Sequence, residues 1–405
     1  MDDARAKAVV QAFDPLQRKE SLAVLTASLP RGPMTPGESL LYARLFLQAG
    51  QTEEAEKLLV VATSGGPRAA PVQLALLAGV QTARGDTAAA KWTVDRLKLI
   101  DPFGWYTAVE AARLLAKTDK PAAAKVLLAH RAAEKPDERV YLIAPTLEGL
   151  GCPAEARGLL QEWCDTGTKK GRHILLAEFL IRQKDADAAL DLAFKYAADV
   201  PTGHTARLLS GAVRCRHPDT LPTAEREAWR KRVDEVTKWV TTRADAEPTD
   251  ADRLFARAEL ADTRGAYDEA IQLYGQAADR TDNRVLKAGL RANRAWLIAV
   301  AQKNGGEEPL RLVNEAINAL GPMPALLDTR AAVKLAAGQP AEALADLDAA
   351  ADSRPTFHFR RAVAYDRWMK PDARDAAVAD AVKRGLTRSA LHPLDWADDD
   401  RLVRK

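Results

Sequence analysis

The sequence predicts an all-α protein, an α-solenoid of stacked helix-turn-helix repeats. Three observations carry that expectation. A two-helix pattern returns seven times along the 405 residues. Turn signals at positions 50, 85, 119, 151 and 184 lie 35, 34, 32 and 33 residues apart. Runs of alternating Val, Ile and Thr are almost absent, while Ala-rich segments with helical spacing abound, so no sheet is expected. One helix pair cannot bury its apolar stripe alone. Neighbouring pairs must stack, so such a chain grows by adding units rather than by enlarging one core.

Residues 2–29 read as a helical pair broken at Asp14-Pro15, and Pro30 to Gly37 as a Pro- and Gly-rich loop. In the first copy, Gly50 precedes Thr52-Glu-Glu-Ala55-Glu-Lys-Leu-Leu59, with Ala43 and Ala62 as the small residues. Gly85 leads to Ala90, Val94 and Pro102, with Ala78 upstream. Asp119 leads to Ala124, Leu128 and Pro136, with Ala112 upstream. Gly151 leads to Ala156, Leu160 and Trp163, and Lys184 to Ala189 and Pro201. Gly338 leads to Ala343, Leu347, Ala350 and Pro355. Small residues let two helix backbones approach. Gly at the turn accepts a left-handed backbone. A Pro after the second helix is read as its stop.

Residues 204–249 break the period. A helix near 205–215 is followed by His217-Pro218-Asp219 and Leu221-Pro222. A longer helix then runs from about Thr223 to Ala244, with Trp229, Val233, Val236 and Val240 at helical spacing. Trp229 and Trp239 are expected as core anchors, and Glu247 to Asp250 as the cap of the next helix. The organisation read here is an N-terminal array over 1–203, an atypical linking pair over 204–249 and a C-terminal array over 250–405. In the last part, 284–322 form a pair with a longer first helix, and the final pair ends at Gly385. The tail from Leu391 to Trp396 is placed to fold back and cover the open end, as terminal repeats require.

The most regular copy reads Arg264-Gly-Ala-Tyr-Asp-Glu-Ala-Ile-Gln-Leu-Tyr-Gly-Gln-Ala277. With Gly265 at the turn, Ala258, Ala270 and Ala277 as small residues and Tyr274 as the bulky one, it resembles the tetratricopeptide repeat, whose period is about 34 residues. The resemblance covers most of residues 35–385. The aromatic expected early in the first helix is mostly replaced, by Leu74, Ala108, Leu254 and Leu327. The family implies a right-handed superhelix that binds protein or peptide in a groove lined by the first helices. Carried over by position, the groove residues are Leu40, Arg44, Leu47 and Gln48, then Ala75, Gly79 and Thr82. Next come Tyr106, Val109, Arg113 and Lys117, then Tyr141 and Glu148, then Glu178 and Arg182, and finally Phe255, Glu259 and Asp262. Relatives that clamp a C-terminal carboxylate use Lys and Asn where this chain has Leu40, Arg44, Ala75 and Gly79, which argues against a chaperone-tail receptor.

No chemistry is expected. Phosphate-binding glycine loops, the H-E-x-x-H metal motif and the nucleophile elbow are missing, and the six histidines are scattered. Three cysteines cannot make a disulfide framework, and Cys152, Cys164 and Cys215 lack metal-ligand spacing. A formal net charge of +3 gives no reason to expect nucleic acid or membrane as partner. Without a secretory or spanning segment, a cytoplasmic location is the default, although the chain starts within helical pattern, as a piece of a longer protein would. Two local basic clusters stand out. Arg284, Lys287, Arg291 and Arg294 fall at i, i+3, i+7 and i+10, on one helix face, as a dock for an acidic segment would require. Phe357-His-Phe-Arg360-Arg361, with Arg367, is the second. The expected function is a non-catalytic scaffold that binds a protein or peptide without cofactor or metal. The alternative is a regulatory or sensor module of a larger kinase or transcription regulator. An enzyme built on the solenoid is the weaker one.

Overall fold

Several helices start where a side chain supplies a cap. Thr35 closes a capping box with Glu38, whose backbone N–H donates to Thr35 Oγ1 at 3.3 Å. Asp86 accepts from Ala89 N–H at 3.0 Å, and Asn283 from Val285 and Leu286 at 3.0 Å each. Two of the prolines read as stops are also starts. Pro136 and Pro355 are the first residues of the next helices, where a missing N–H leaves no bond unmade. One residue thus ends one helix and opens another.

The computed structural model describes residues 7–8, 11–12, 18–27, 34–64, 70–133, 136–167, 171–216, 218, 221–246, 251–350, 352 and 354–404. The break at Asp14-Pro15, part of the 30–37 loop, His217, Asp219 and the 247–250 cap lie outside them. Among the described residues the chain is helical throughout, without a strand. It forms two compact units, Met1–Arg172 and His173–Lys405.

The first unit holds α1 (Arg18–Ala27), α2 (Pro36–Gln48), α3 (Thr52–Thr63), α4 (Pro71–Arg84), α5 (Thr87–Ile100), α6 (Trp105–Leu115), α7 (Lys120–Ala133), α8 (Pro136–Gly149) and α9 (Pro153–Thr166). The second holds α10 (His173–Arg182), α11 (Ala186–Lys195), α12 (Thr202–Arg214), α13 (Thr223–Ala246), α14 (Ala251–Thr263), α15 (Tyr267–Asp279), α16 (Arg284–Val300), α17 (Glu307–Leu320), α18 (Pro324–Ala336), α19 (Pro340–Ala350), α20 (Pro355–Arg367), α21 (Pro371–Lys383) and α22 (Trp396–Leu402). From α2 to α9 and from α10 to α21 each helix packs on its successor. First helices of successive pairs also touch: α4 with α6, α10 with α12, α12 with α14, α16 with α18 and α18 with α20. This is the tetratricopeptide-like arrangement.

The small residues sit in the contacts, with Ala43, Ala78, Ala112, Ala156, Ala258, Ala270 and Ala277 fully buried. Two copies are shifted by one position. Thr63 is buried in place of Ala62, and Leu127 in place of Leu128. Trp229, Val236 and Val240 of α13 are buried as expected, while Trp239 is half-buried beside Phe194. Polar ties recur one repeat apart. Gln73 donates to Ser39 Oγ at 2.6 Å, Arg96 to the Thr63 carbonyl at 2.6 Å and Arg367 to the Leu335 carbonyl at 3.0 Å. Each satisfies a group on the neighbouring pair, so the stack carries hydrogen bonds as well as apolar contacts.

Candidate partner-binding site

In the first unit, α2, α4 and α6 present residues toward one space. Leu40, Arg44 and Leu47, then Ala75 and Gly79, then Tyr106 and Arg113 line a cavity of about 420 Å³. Spacings of three and four put each helix's contribution on a single face. The structure therefore brings seven of the expected groove residues together. Val72, Leu76 and Val80 add an apolar floor. The rim is polar. Arg44 is exposed, and Tyr106 is 45% exposed. Arg113 Nη1 donates to both carboxylate oxygens of Glu110, at 2.6 and 2.8 Å. Burial pushes the Glu110 carboxyl up to about 7, against the pull of Arg113. Gly79 leaves room for that pair, since a Cβ there would stand 2.8 Å from Arg113 Nη1. Glu110 escaped the sequence reading, although its i, i+3 spacing to Arg113 was the available signal.

Other expected positions lie away from this cavity. The Lys117 ammonium donates to the Thr82 carbonyl and so ties the turn after α6 to α4. Tyr141 on α8 is 48% exposed and meets Trp163 edge-on at 5.4 Å, apart from the α2–α4–α6 cavity. Glu178 and Arg182 on α10 are exposed.

In the second unit, Phe255, Glu259 and Asp262 of α14 diverge. Phe255 lies under the Arg207 guanidinium at 5.4 Å. Glu259 is buried, accepting from Ser210 Oγ at 2.6 Å and from Arg214. Burial, with the Glu259 carboxylate beside it, holds the Tyr274 phenol far above its ordinary range, against the pull of Arg214. Asp262 reaches a second cavity, of about 410 Å³, which it shares with Arg214, Asn293, Trp296 and Arg360. The tail lines this cavity too. Leu394 N–H donates to His392 Nδ1 at 3.2 Å, which leaves Nε2 to carry the hydrogen shared with Asp262 Oδ1 at 3.0 Å.

The basic face of α16 packs against its neighbour. Arg291 pairs with Glu315 at 3.1 Å and Arg294 with Glu308 at 2.8 Å, both carboxylates on α17. Arg284 is exposed and Lys287 half-buried. In the other basic cluster Phe357 and Phe359 are core residues. Arg361 donates to the Leu347 carbonyl at 2.9 Å, and Arg360 to Asp328 at 2.9 Å and Asp395 at 3.2 Å. Burial opposes the Arg360 charge, but the two carboxylates keep it protonated.

Cys164 and Cys215 are free, and burial pushes each thiol up to about 11, which disfavours the nucleophilic thiolate. Among the described residues no cluster of His, Cys, Asp and Glu could hold a metal ion, and no helix is long and apolar enough to cross a membrane.

No family model and no curated protein matches the chain. Solved structures do. A tetratricopeptide repeat protein from Parabacteroides merdae is 14% identical with a TM-score of 0.42, over 64% of this chain and 96% of that one. The Cut9–Hcn1 hetero-tetramer of the APC/C matches at 13% identity and a TM-score of 0.44, over 94% and 86%. Yeast Tom70 matches at 12% and 0.37, over 90% and 95%.

Proposed function

We propose that this chain is a non-catalytic interaction scaffold that takes an extended protein segment on the first-helix face of its first unit. One observation carries the reading: three successive first helices contribute Leu40, Arg44, Leu47, Ala75, Gly79, Tyr106 and Arg113 to a single open cavity. An apolar floor supplies contact area. The Tyr and Arg at its rim are the residue types that anchor peptide interfaces, because each combines apolar surface with a polar end. The exposed Arg44 and the half-exposed Arg113 favour a segment carrying a carboxylate, by speeding encounter more than by deepening affinity.

The test is peptide selection by display against the full chain, followed by titration of the selected peptide. Arg44→Glu with Tyr106→Ala changes two exposed side chains, so folding should stay within about 1 kcal/mol of the parent. Loss of tenfold or more in affinity is expected. A selection that yields no peptide, or one whose affinity the double variant leaves unchanged, would count against this groove.

A further inference from the structure

The first-helix face of the second unit already has an occupant. After α21 the chain turns at Gly385 and runs back over its own repeats. Thr387, Leu391 and His392 have extended backbone, with ψ of 151°, 148° and 145°. Only two short 3₁₀ turns interrupt it, at Arg388–Ala390 and Pro393–Asp395. The segment is held by side chains, as a bound peptide is, rather than by a regular backbone ladder. His392 reaches Asp262 on α14 and stands edge-on to Trp296 on α16 at 4.6 Å. Asp395 accepts from Arg360 on α20, which also holds Asp328 on α18. Four successive first helices are thereby spanned by four residues of tail and one arginine.

The fit is incomplete. The cavity of about 410 Å³ lies between the tail and the helices, with Arg214, Asn293, Thr329 and Arg354 on its walls. The His392 side chain is 25% exposed, so its pairing with Asp262 is reached by water. A short tether supplies an effective concentration in the millimolar range, which suffices to keep a modest ligand seated. A segment of the same chemistry in another protein, able to fill the remaining space, would compete.

We propose that this face is a second peptide groove, closed in cis by residues 390–395, and that its partner in trans is an extended segment with a histidine followed by proline and a carboxylate three residues after the histidine. The proposal is independent of the first-unit groove, since no residue is common to the two cavities.

The probe is a fluorescent synthetic peptide with the sequence of residues 386–397, titrated into the full chain by anisotropy. The unaltered chain should take it up weakly. A chain carrying His392→Ala and Asp395→Ala, which loosens the strap, should bind it at least tenfold more tightly. Adding Asp262→Ala to that chain, or making the same two changes in the peptide, should abolish the gain. If the double variant does not fold, His392→Ala alone, which alters one partly exposed ring, gives the same reading. A folded, loosened chain that binds the peptide no better than the unaltered one would overturn the proposal.

Discussion

Gly265 and Lys184 hold the same place in their repeats, and both have a left-handed backbone, φ +78° and +60°. A side chain in that conformation costs about 1–2 kcal/mol. Gly265→Ala should therefore lower stability by about 1 kcal/mol, although a Cβ there meets nothing closer than 3.9 Å. Lys184→Gly relieves the same strain but loosens the unfolded chain, so its gain should stay below about 1 kcal/mol. Chemical denaturation of both variants checks the pair. Two losses, or two gains, would contradict the turn assignment. Glu110 gives a second residue-level expectation. Its folded pKa of about 7 exceeds the ordinary 4.5. Across that window the native state holds more protons than the unfolded one, so stability should fall as pH rises from about 4.5 to about 7 and level off above. Melting curves for the wild type and Glu110→Gln across that range test it, and the variant should lose this part of the slope.

At the scale of helices, Ala270 is fully buried. Ala270→Trp should overpack that contact and cost roughly 1–3 kcal/mol or more. Because each pair leans on its neighbours, amide exchange should accelerate in α14 and α16 as well as in α15, and fade farther along the second unit. Exchange confined to α15 would mean that the pairs are not mutually supporting. Much of this level could be read from residues: Gly50, Gly85, Gly151, Gly265 and Gly338 take the left-handed backbone at their turns, and the small positions other than Ala62 are buried. Legibility failed where geometry outruns spacing. The four cations of α16 share a face by periodicity, but only packing reveals that α17 offers Glu308 and Glu315 to two of them. Phe255, Glu259 and Asp262 follow one motif rule, yet Ser210 and Arg214 from α12 claim Glu259. The residues that line the first unit's cavity could be named from the sequence because they come from one repeated position. The tail's course was only half legible: its apolar residues marked it as a cover, but pairing across 130 positions leaves no local trace.

For the whole chain, the apolar cores differ in extent. Among the described residues one continuous cluster runs from Leu254 to Leu402, whereas residues 8–97 carry smaller separate clusters around Phe46, Leu59 and Leu97. A repeat array with uneven cores should not unfold in one step. Calorimetry should give an enthalpy above the van't Hoff value, and amides of 254–402 should exchange more slowly than those of 36–100. A single two-state transition would contradict this.

The strap at 390–395 also has a place in time. Among the described residues, contacts such as Gln73 with Ser39 and Arg367 with Leu335 join a repeat to its neighbour and can form as soon as that neighbour exists. The bond between His392 and Asp262 cannot. During synthesis, Arg360 leaves the ribosome 32 residues ahead of His392, a lead of a few seconds at about 5–20 residues per second. Until His392 emerges, the proposed second groove has no strap to close it. A partner bound then meets no competitor, so one made nearby, or present at the ribosome, would reach the site on terms that the finished protein no longer offers.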